Sequence, residues 1–510
     1  MKQSWFKYGA GFVLLTILFA IAYTQSPLFT SNQNQYFLHG LADAGQGYLA
    51  DDWLANTNDP TPVFSSLVYL TEKYLSASWV NYLYYAILMG VYLFSLIGIA
   101  SKAFSVRKDR KTTIVFISLL FLVNSAAIRF GFSRILGENW TYLLEDGVAD
   151  QRLLGPVFQP STFGVLLLLS IYLFLSSKPY LAVVSATIAA SVHPTYLISA
   201  AVLTLAYMIL TYRDEKNLLK AILIGFLAAL TVTPILIYVY SNFVSTPAET
   251  TRQAQEILVN FRIPHHARLD WWFDWTAVFK MILVVVSLFL IRHTKRLFFI
   301  ALLLTLVAIS LTLLQFVLDS NQLALIFPWR ISTILVPMST TLILGFLVTN
   351  GAEKFSDQWQ RYQKFLLAGS LMVLSLTILI GIVRMVIEFD RKSKSIERPM
   401  MTYVADNGEE GQNYLIHPKM QDFRLVTGLP ILVDFKSIPY RDTDVLDWYR
   451  RNELANQFYK ERDCDSLAQA SSEFDVTHLI QAQDGSQITC PQLEVVYRDD
   501  NYGVYKIINK

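Results

Sequence analysis

The feature that most constrains this chain is a series of long apolar runs, separated by short polar ones, that continues almost to residue 390. A helix crosses the hydrocarbon with roughly 20 apolar residues, or somewhat fewer when polar ends reach the interface. By that rule spans fall near 8–27, 79–100, 112–128, 161–177, 180–192, 195–212, 220–240, 273–291, 297–317, 323–348 and 365–387, about eleven in all. Composition agrees with this reading. Across 510 residues, 53% of side chains are hydrophobic and only 16% are charged, with a mean hydropathy of +0.38, too apolar for an ordinary soluble enzyme. The first run follows Lys2 and Lys7 and so looks like a signal peptide, but Tyr23-Thr24-Gln25-Ser26-Pro27 offers no small-x-small cleavage pattern, and a retained span is expected.

Orientation follows from the connecting loops, because Lys and Arg stay on the cytoplasmic side. One set of loops is short and basic. It holds Lys102, Arg107, Lys108, Arg110 and Lys111, then Lys178, then Arg213, Lys216 and Lys220, then Arg292, Lys295 and Arg296, and last Lys354, Arg361 and Lys364. The other set, near 28–78, 129–160, 241–272 and everything after about 388, is longer and carries the acids. The chain is therefore expected to run N-in and C-out, with its chemistry on the extracytoplasmic face. Its net charge of +2, without a basic block interleaved with aromatics, argues against nucleic acid as a partner.

After about residue 389 the composition becomes that of a soluble domain. Short β-rich runs (Asn413–Ile416, Ile431–Val433, Thr477–Ile480, Gly503–Ile507) alternate with helical stretches near 444–459 and 466–473, which predicts a small α/β domain over 389–510 behind a membrane domain over 1–388. Both cysteines, Cys464 and Cys490, lie in this tail. In an oxidising compartment they are disulfide candidates, and two unpaired thiols are the alternative.

Several residues could carry chemistry. The first outer loop holds Asp43, Asp51, Asp52 and Asp59 beside Trp53. A carboxylate held near the interface can act as a general base, although Asp51 and Asp52 could equally belong to a solvated loop. The second outer loop adds Glu138, Glu145 and Asp146, with Arg152 following as a binding residue or as a partner for the acids. His193, ahead of Pro194, and the pair His265-His266 could contact a phosphate or a sugar hydroxyl. A metal site would need ligands that the sequence does not place, so the metal question stays open. Arg330, in Phe327-Pro328-Trp329-Arg330, lies a turn or two inside the tenth span. A cation there is costly unless it is paired or wet, and an arginine fork suits a phosphate or pyrophosphate. Spans 161–177 and 297–317 carry no Asp, Glu, Lys, Arg or His, which argues against an ion relay of the transporter kind.

An acid-bearing first outer loop, an odd number of spans and a terminal extracytoplasmic α/β domain ending in Phe474–Ile480, Leu493–Tyr497 and Tyr502–Ile507 together resemble the GT-C superfamily of polytopic membrane glycosyltransferases. That superfamily includes protein mannosyltransferases, aminoarabinose transferases and oligosaccharyltransferase catalytic subunits. The runs Gln421–Leu425 and Val433–Tyr440 are similar to those of uncharacterised bacterial membrane proteins of the same layout. The resemblance implies an inverting glycosyltransferase of the bacterial plasma membrane. Its donor would be a polyprenyl-phosphate-linked sugar, and the acceptor a glycan, lipid or protein. A first-loop aspartate would be the base, best matched by Asp52, with Asp51 beside it and Asp43 in reserve. No Glu-x-Asp or Asp-x-Asp occurs in this loop, so a divalent cation (Mg or Mn) is an open expectation. Two alternatives stand beside this reading. One is a non-catalytic scaffold that grips lipid-linked glycans in envelope assembly, with Asp422, Arg424, Asp434 and Lys436 as its contacts. The other is a polysaccharide polymerase or ligase.

Overall fold

The structure is a computed structural model that describes residues 2–107, 109–244, 246–483 and 490–508, with side chains described from residue 9 onward. Lys108 and the side chains of Lys2 and Lys7 lie outside the described residues. Two compact units emerge, each assembled from three stretches of chain: residues 1–25, 81–237 and 263–386 form the first, and residues 26–80, 238–262 and 387–510 form the second.

The first unit is helical. Six helices among the described residues are long and apolar enough to cross a membrane: Val80–Ala103, Pro194–Glu215, Leu218–Asn242, Lys295–Leu318, Asn321–Lys354 and Gln363–Ser393. A seventh forms if Arg110–Val123 and Ala126–Ile135, bent by 50°, count as one. Gly9–Tyr23, Pro160–Leu175, Pro179–Val192 and Trp275–Ile291 are apolar but shorter. Each expected span thus falls on an apolar helix, while six or seven of these helices meet the length of a full crossing. Burial separates central helices from peripheral ones: 72% of the apolar window of Asn321–Lys354 is buried, against 11% for Gln363–Ser393 and 17% for Leu218–Asn242. The peripheral pair turns its apolar surface outward, as a lipid-facing helix does and a soluble one does not.

Breaks in these helices have local causes. Proline occupies an opening position of Pro160–Gly164, Pro179–Val192, Pro194–Tyr196 and Pro328–Ile331, where its missing N–H costs nothing. At the 50° bend, Ser125 caps the second half by accepting from the Ile128 N–H at 3.3 Å, and Asn124 Oδ1 accepts from the Tyr92 hydroxyl at 2.8 Å. Polar groups at the bend are thereby satisfied inside an apolar body.

The second unit is built on a four-stranded sheet, β1 (Tyr414–Leu415), β2 (His478–Ala482), β3 (Leu493–Arg498) and β4 (Tyr502–Ile507), in the order β1-β2-β4-β3. β1 runs parallel to β2, and the β2/β4 and β4/β3 pairs are antiparallel, with a register shift between Val495 and Tyr497. Side chains alternate between faces along a strand, so β2 feeds two cores. Leu479 packs with Leu415, Trp448, Phe458 and Leu467 under the helices Asp442–Glu461 and Cys464–Phe474, and Ile480 packs with Met400, Phe423, Ile431 and Val504. Trp53 and Leu258 pack on the first core and Tyr48 on the second. The second unit therefore extends beyond the expected 389–510 tail: residues 26–80 and 238–262 belong to it, and Trp53, Leu258 and Tyr48 complete its cores. Cys464 and Cys490 are joined by a disulfide across 26 residues.

Candidate functional site

In the second unit the first loop meets the tail where two backbones touch. Gly47 has φ +54°, and a Cβ built on it would lie 2.5 Å from the Gly428 carbonyl oxygen. That oxygen accepts from the Tyr48 N–H at 2.7 Å. Only glycine permits this approach. Beyond the contact Asp52 turns inward and is fully buried. Its Oδ1 accepts from the Leu54 N–H at 2.9 Å and its Oδ2 from the Ile431 N–H at 3.1 Å, with the Arg424 Nε 2.8 Å from the same Oδ2. Arg424, also buried, faces Asp434 at 3.3 Å. Burial pushes the Asp434 carboxyl above the usual range, partly opposed by Arg424 and by the Ser437 N–H.

This geometry corrects two expectations. Both oxygens of Asp52 are committed, to two backbone N–H groups and to Arg424, so its place is that of a structural ion pair. Arg424 and Asp434 are likewise buried and do not form a contact surface; Asp422 pairs instead with Lys392. Asp43 and Asp51 are exposed.

The first unit holds a separate polar cluster built from the second outer loop. Glu145 accepts from Arg129 at 2.9 Å, and Asp146 lies 2.7 Å from the Arg152 Nε. The Tyr142 ring is flanked by both guanidiniums, at 5.4 and 4.0 Å. Lys280 donates to the Gly147 carbonyl at 2.8 Å. Glu145 and Asp146 are buried, and burial raises the Asp146 carboxyl to about 7 against the pull of Arg152 and Lys280.

The same loop packs against the break that carries Arg330. A Cβ on Gly147 would sit 2.3 Å from the Ser332 Oγ, and the Val148 N–H donates to that hydroxyl at 2.9 Å. Two residues earlier, Arg330 lies in the turn Pro328–Ile331, which follows Phe327 at φ +50°. Its Nη1 lies 3.0 Å from the His193 Nε2, and its guanidinium stands over the Tyr196 and Phe327 rings, 5.5 Å from each. Burial, with Arg330 beside it, lowers the His193 pKa, so the neutral ring accepts from the guanidinium. The Arg330 Nε is buried without a partner among the described residues. Two helix breaks 137 residues apart in sequence thus meet across one cation.

His266 Nδ1 lies 2.7 Å from the Ala149 carbonyl, and the His265 ring lies 4.1 Å from that of His266. His266 thus braces the second loop. Glu138 is exposed and accepts from Ser133 at 3.1 Å. Among the described residues no group of three or more His, Cys, Asp or Glu is arranged to hold a metal ion. Asp146, Arg152, His193, His266 and Arg330 belong to one unit, whereas Asp43, Asp51 and Asp52 belong to the other. Sequence reasoning missed Lys280 and Arg129, two cations inside apolar helices, though an intramembrane charge is itself the signal that marks such a residue.

The class these features define is a polytopic helical membrane protein with a mixed α/β unit. A family model described as a domain of unknown function (DUF6798) matches residues 396–455, a stretch of the second unit that contains Arg424 and Asp434. No curated protein matches the chain.

Proposed function

We propose that this chain is an inverting glycosyltransferase that moves a sugar from a polyprenyl-phosphate donor to an acceptor at the extracytoplasmic face of the plasma membrane. The observation that carries the reading is the Arg330–His193 junction, a cation held in paired helix breaks with an uncommitted Nε. Transfer breaks the bond between the anomeric carbon and the phosphate oxygen. The bonding electrons leave with the lipid phosphate, and a buried guanidinium stabilises that charge better than water does. Asp146, titrating near 7, takes the proton from the acceptor hydroxyl as its oxygen attacks the anomeric carbon. In this scheme Asp52 anchors the first loop to the tail instead of acting as base.

Topology supports an odd number of crossings after a cytoplasmic N-terminus. The three segments of the second unit fold together, so they share one side of the bilayer, and the chain crosses an even number of times between them. Between residues 80 and 238 the long helices and the bent pair satisfy this, so Pro160–Leu175 and Pro179–Val192 cross together or not at all. Between residues 262 and 387 the three long helices need Trp275–Ile291 as a fourth. With the short pair crossing and the first helix included, about eleven spans follow.

The test is transfer by the purified chain from polyprenyl-phosphate sugars, with Arg330→Gln and Arg330→Lys beside the parent. The expected result is loss of transfer in both, since an ammonium does not reproduce the fork. Full activity in Arg330→Gln rejects the mechanism. Donor binding with no transfer by the parent favours the scaffold reading.

A further inference from the structure

Away from the second outer loop, the first unit has a cavity of about 370 Å³ lined by Lys102, Arg213, Asp214, Thr294, Lys295 and Arg296. Lys102 lies in the last turn of Val80–Ala103, Arg213 and Asp214 end Leu197–Glu215, and Lys295 and Arg296 open Lys295–Leu318. All three helices belong to spans long enough to cross the membrane. The chain thus places this cavity where hydrocarbon gives way to headgroups.

Four cations face one carboxylate here. Asp214 lies 3.0 Å from the Arg213 Nε and 2.7 Å from the Arg296 Nε, so one carboxylate meets both guanidiniums through their Nε atoms. Lys102 and Lys295 have no ion pair among the described residues. Thr294 makes no side-chain bond to the helix it precedes, so the opening N–H groups of Lys295–Leu318 add to the positive field. Such an excess of positive charge beside hydrocarbon has one abundant match, a lipid phosphate.

We propose that this cavity holds the phosphodiester headgroup of an anionic phospholipid. The arginines grip the phosphate oxygens in competition with Asp214, and Lys102 and Lys295 select against zwitterionic lipids, whose headgroup cation they repel. The site lies at helix ends joined by the basic loops and needs no transferase activity, so it stands or falls apart from the function proposed above.

Native mass spectrometry of the full chain in detergent, titrated with phosphatidylglycerol, phosphatidylcholine or inorganic phosphate, tests it. The parent is expected to retain phosphatidylglycerol in preference to phosphatidylcholine. Lys102→Gln with Lys295→Gln is expected to weaken phosphatidylglycerol binding by about twenty-fivefold, each lysine near the membrane contributing about fivefold. Asp214→Asn removes the cavity's one carboxylate and is expected to strengthen binding, an outcome that a merely structural aspartate would not give. If Asp214→Asn fails to fold, the lysine pair, which breaks no ion pair, still decides. Equal retention of the two lipids, unchanged binding in the lysine variant, or phosphate binding as tight as that of phosphatidylglycerol would each overturn the assignment.

Discussion

Replacing Arg424 separates a structural from a catalytic first loop. Arg424→Met leaves Asp52 and Asp434 buried together without the guanidinium that lies 2.8 and 3.3 Å from them. Breaking a buried pair by removing one partner costs about 3–5 kcal/mol, because an uncompensated charge stays in the interior. The second unit has about 200 residues, a size at which each kcal/mol shifts the midpoint by about 2–4 °C. A fall of roughly 6–20 °C in the unfolding midpoint of this unit is therefore expected, read by protease resistance of the purified chain on a temperature ramp. Asp52→Asn is expected to lose part of this stability as well. Its amide can accept from only one of the two N–H groups that the carboxylate satisfies, at Leu54 and Ile431, and hydrogen bonds to charged groups are worth about 1.5–3 kcal/mol each. Replacing all three charges with Leu, Met and Leu should recover much of what Arg424→Met loses, since no charge then remains to be compensated. If Arg424→Met and Asp52→Asn melt with the parent while Asp52→Asn abolishes transfer, the structural reading is wrong and Asp52 returns as the base.

Three further outcomes follow from the same geometry. With Asp146 raised to about 7, transfer should climb as pH rises through neutrality and level off above it, and Asp146→Asn should remove that limb; for stability the sign reverses, because a raised carboxyl stabilises fully below its ordinary value near 3.8 and loses that contribution as pH rises through about 7, so the parent's melting temperature should fall over that window more than the variant's. Gly147→Ala drives a Cβ to 2.3 Å from the Ser332 Oγ and 2.7 Å from the Thr333 N, and overpacking of this kind costs about 1–3 kcal/mol, which a lowered melting temperature of the first unit would register. Reduction of the Cys464–Cys490 bond, which spans 26 residues, should destabilise the second unit by about 3 kcal/mol, measured by proteolysis with and without reductant.

What the sequence made legible follows from how local each signal is. Hydropathy is summed over neighbouring residues, so all the apolar helices could be read, and His193-Pro194 marked its own turn; the break at Phe327-Pro328 lies inside what hydropathy reads as one continuous span, so Arg330 sits in a turn and not within a helix. Partnership between distant segments has no such local signature. Asp52 looked like a candidate base because nothing near it in sequence indicates that Arg424 will neutralise it, or that Ile431, 379 residues further on, will donate to it. The tail likewise looked self-sufficient because its strands are visible, whereas the space that Trp53 and Leu258 fill is a property of the folded core.

The distribution of charge within the first unit gives the arrangement its logic. The described polar clusters gather at and near helix ends and breaks, with Arg129 and Lys280 as cations within apolar helices. Arg330 and His193 occupy two breaks, Asp146 and Arg152 the loop packed on one of them, and Lys102, Arg213 and Arg296 the ends joined by the basic loops. Between such ends the apolar windows of Lys295–Leu318 and Leu218–Asn242 hold few charges and stay largely outward-facing. Cations gathered near helix ends suit the ligands proposed above, which have apolar tails and phosphate heads, because such a ligand brings its own hydrocarbon and asks the protein chiefly for cations. The proposed donor and the proposed bound phospholipid both meet that description.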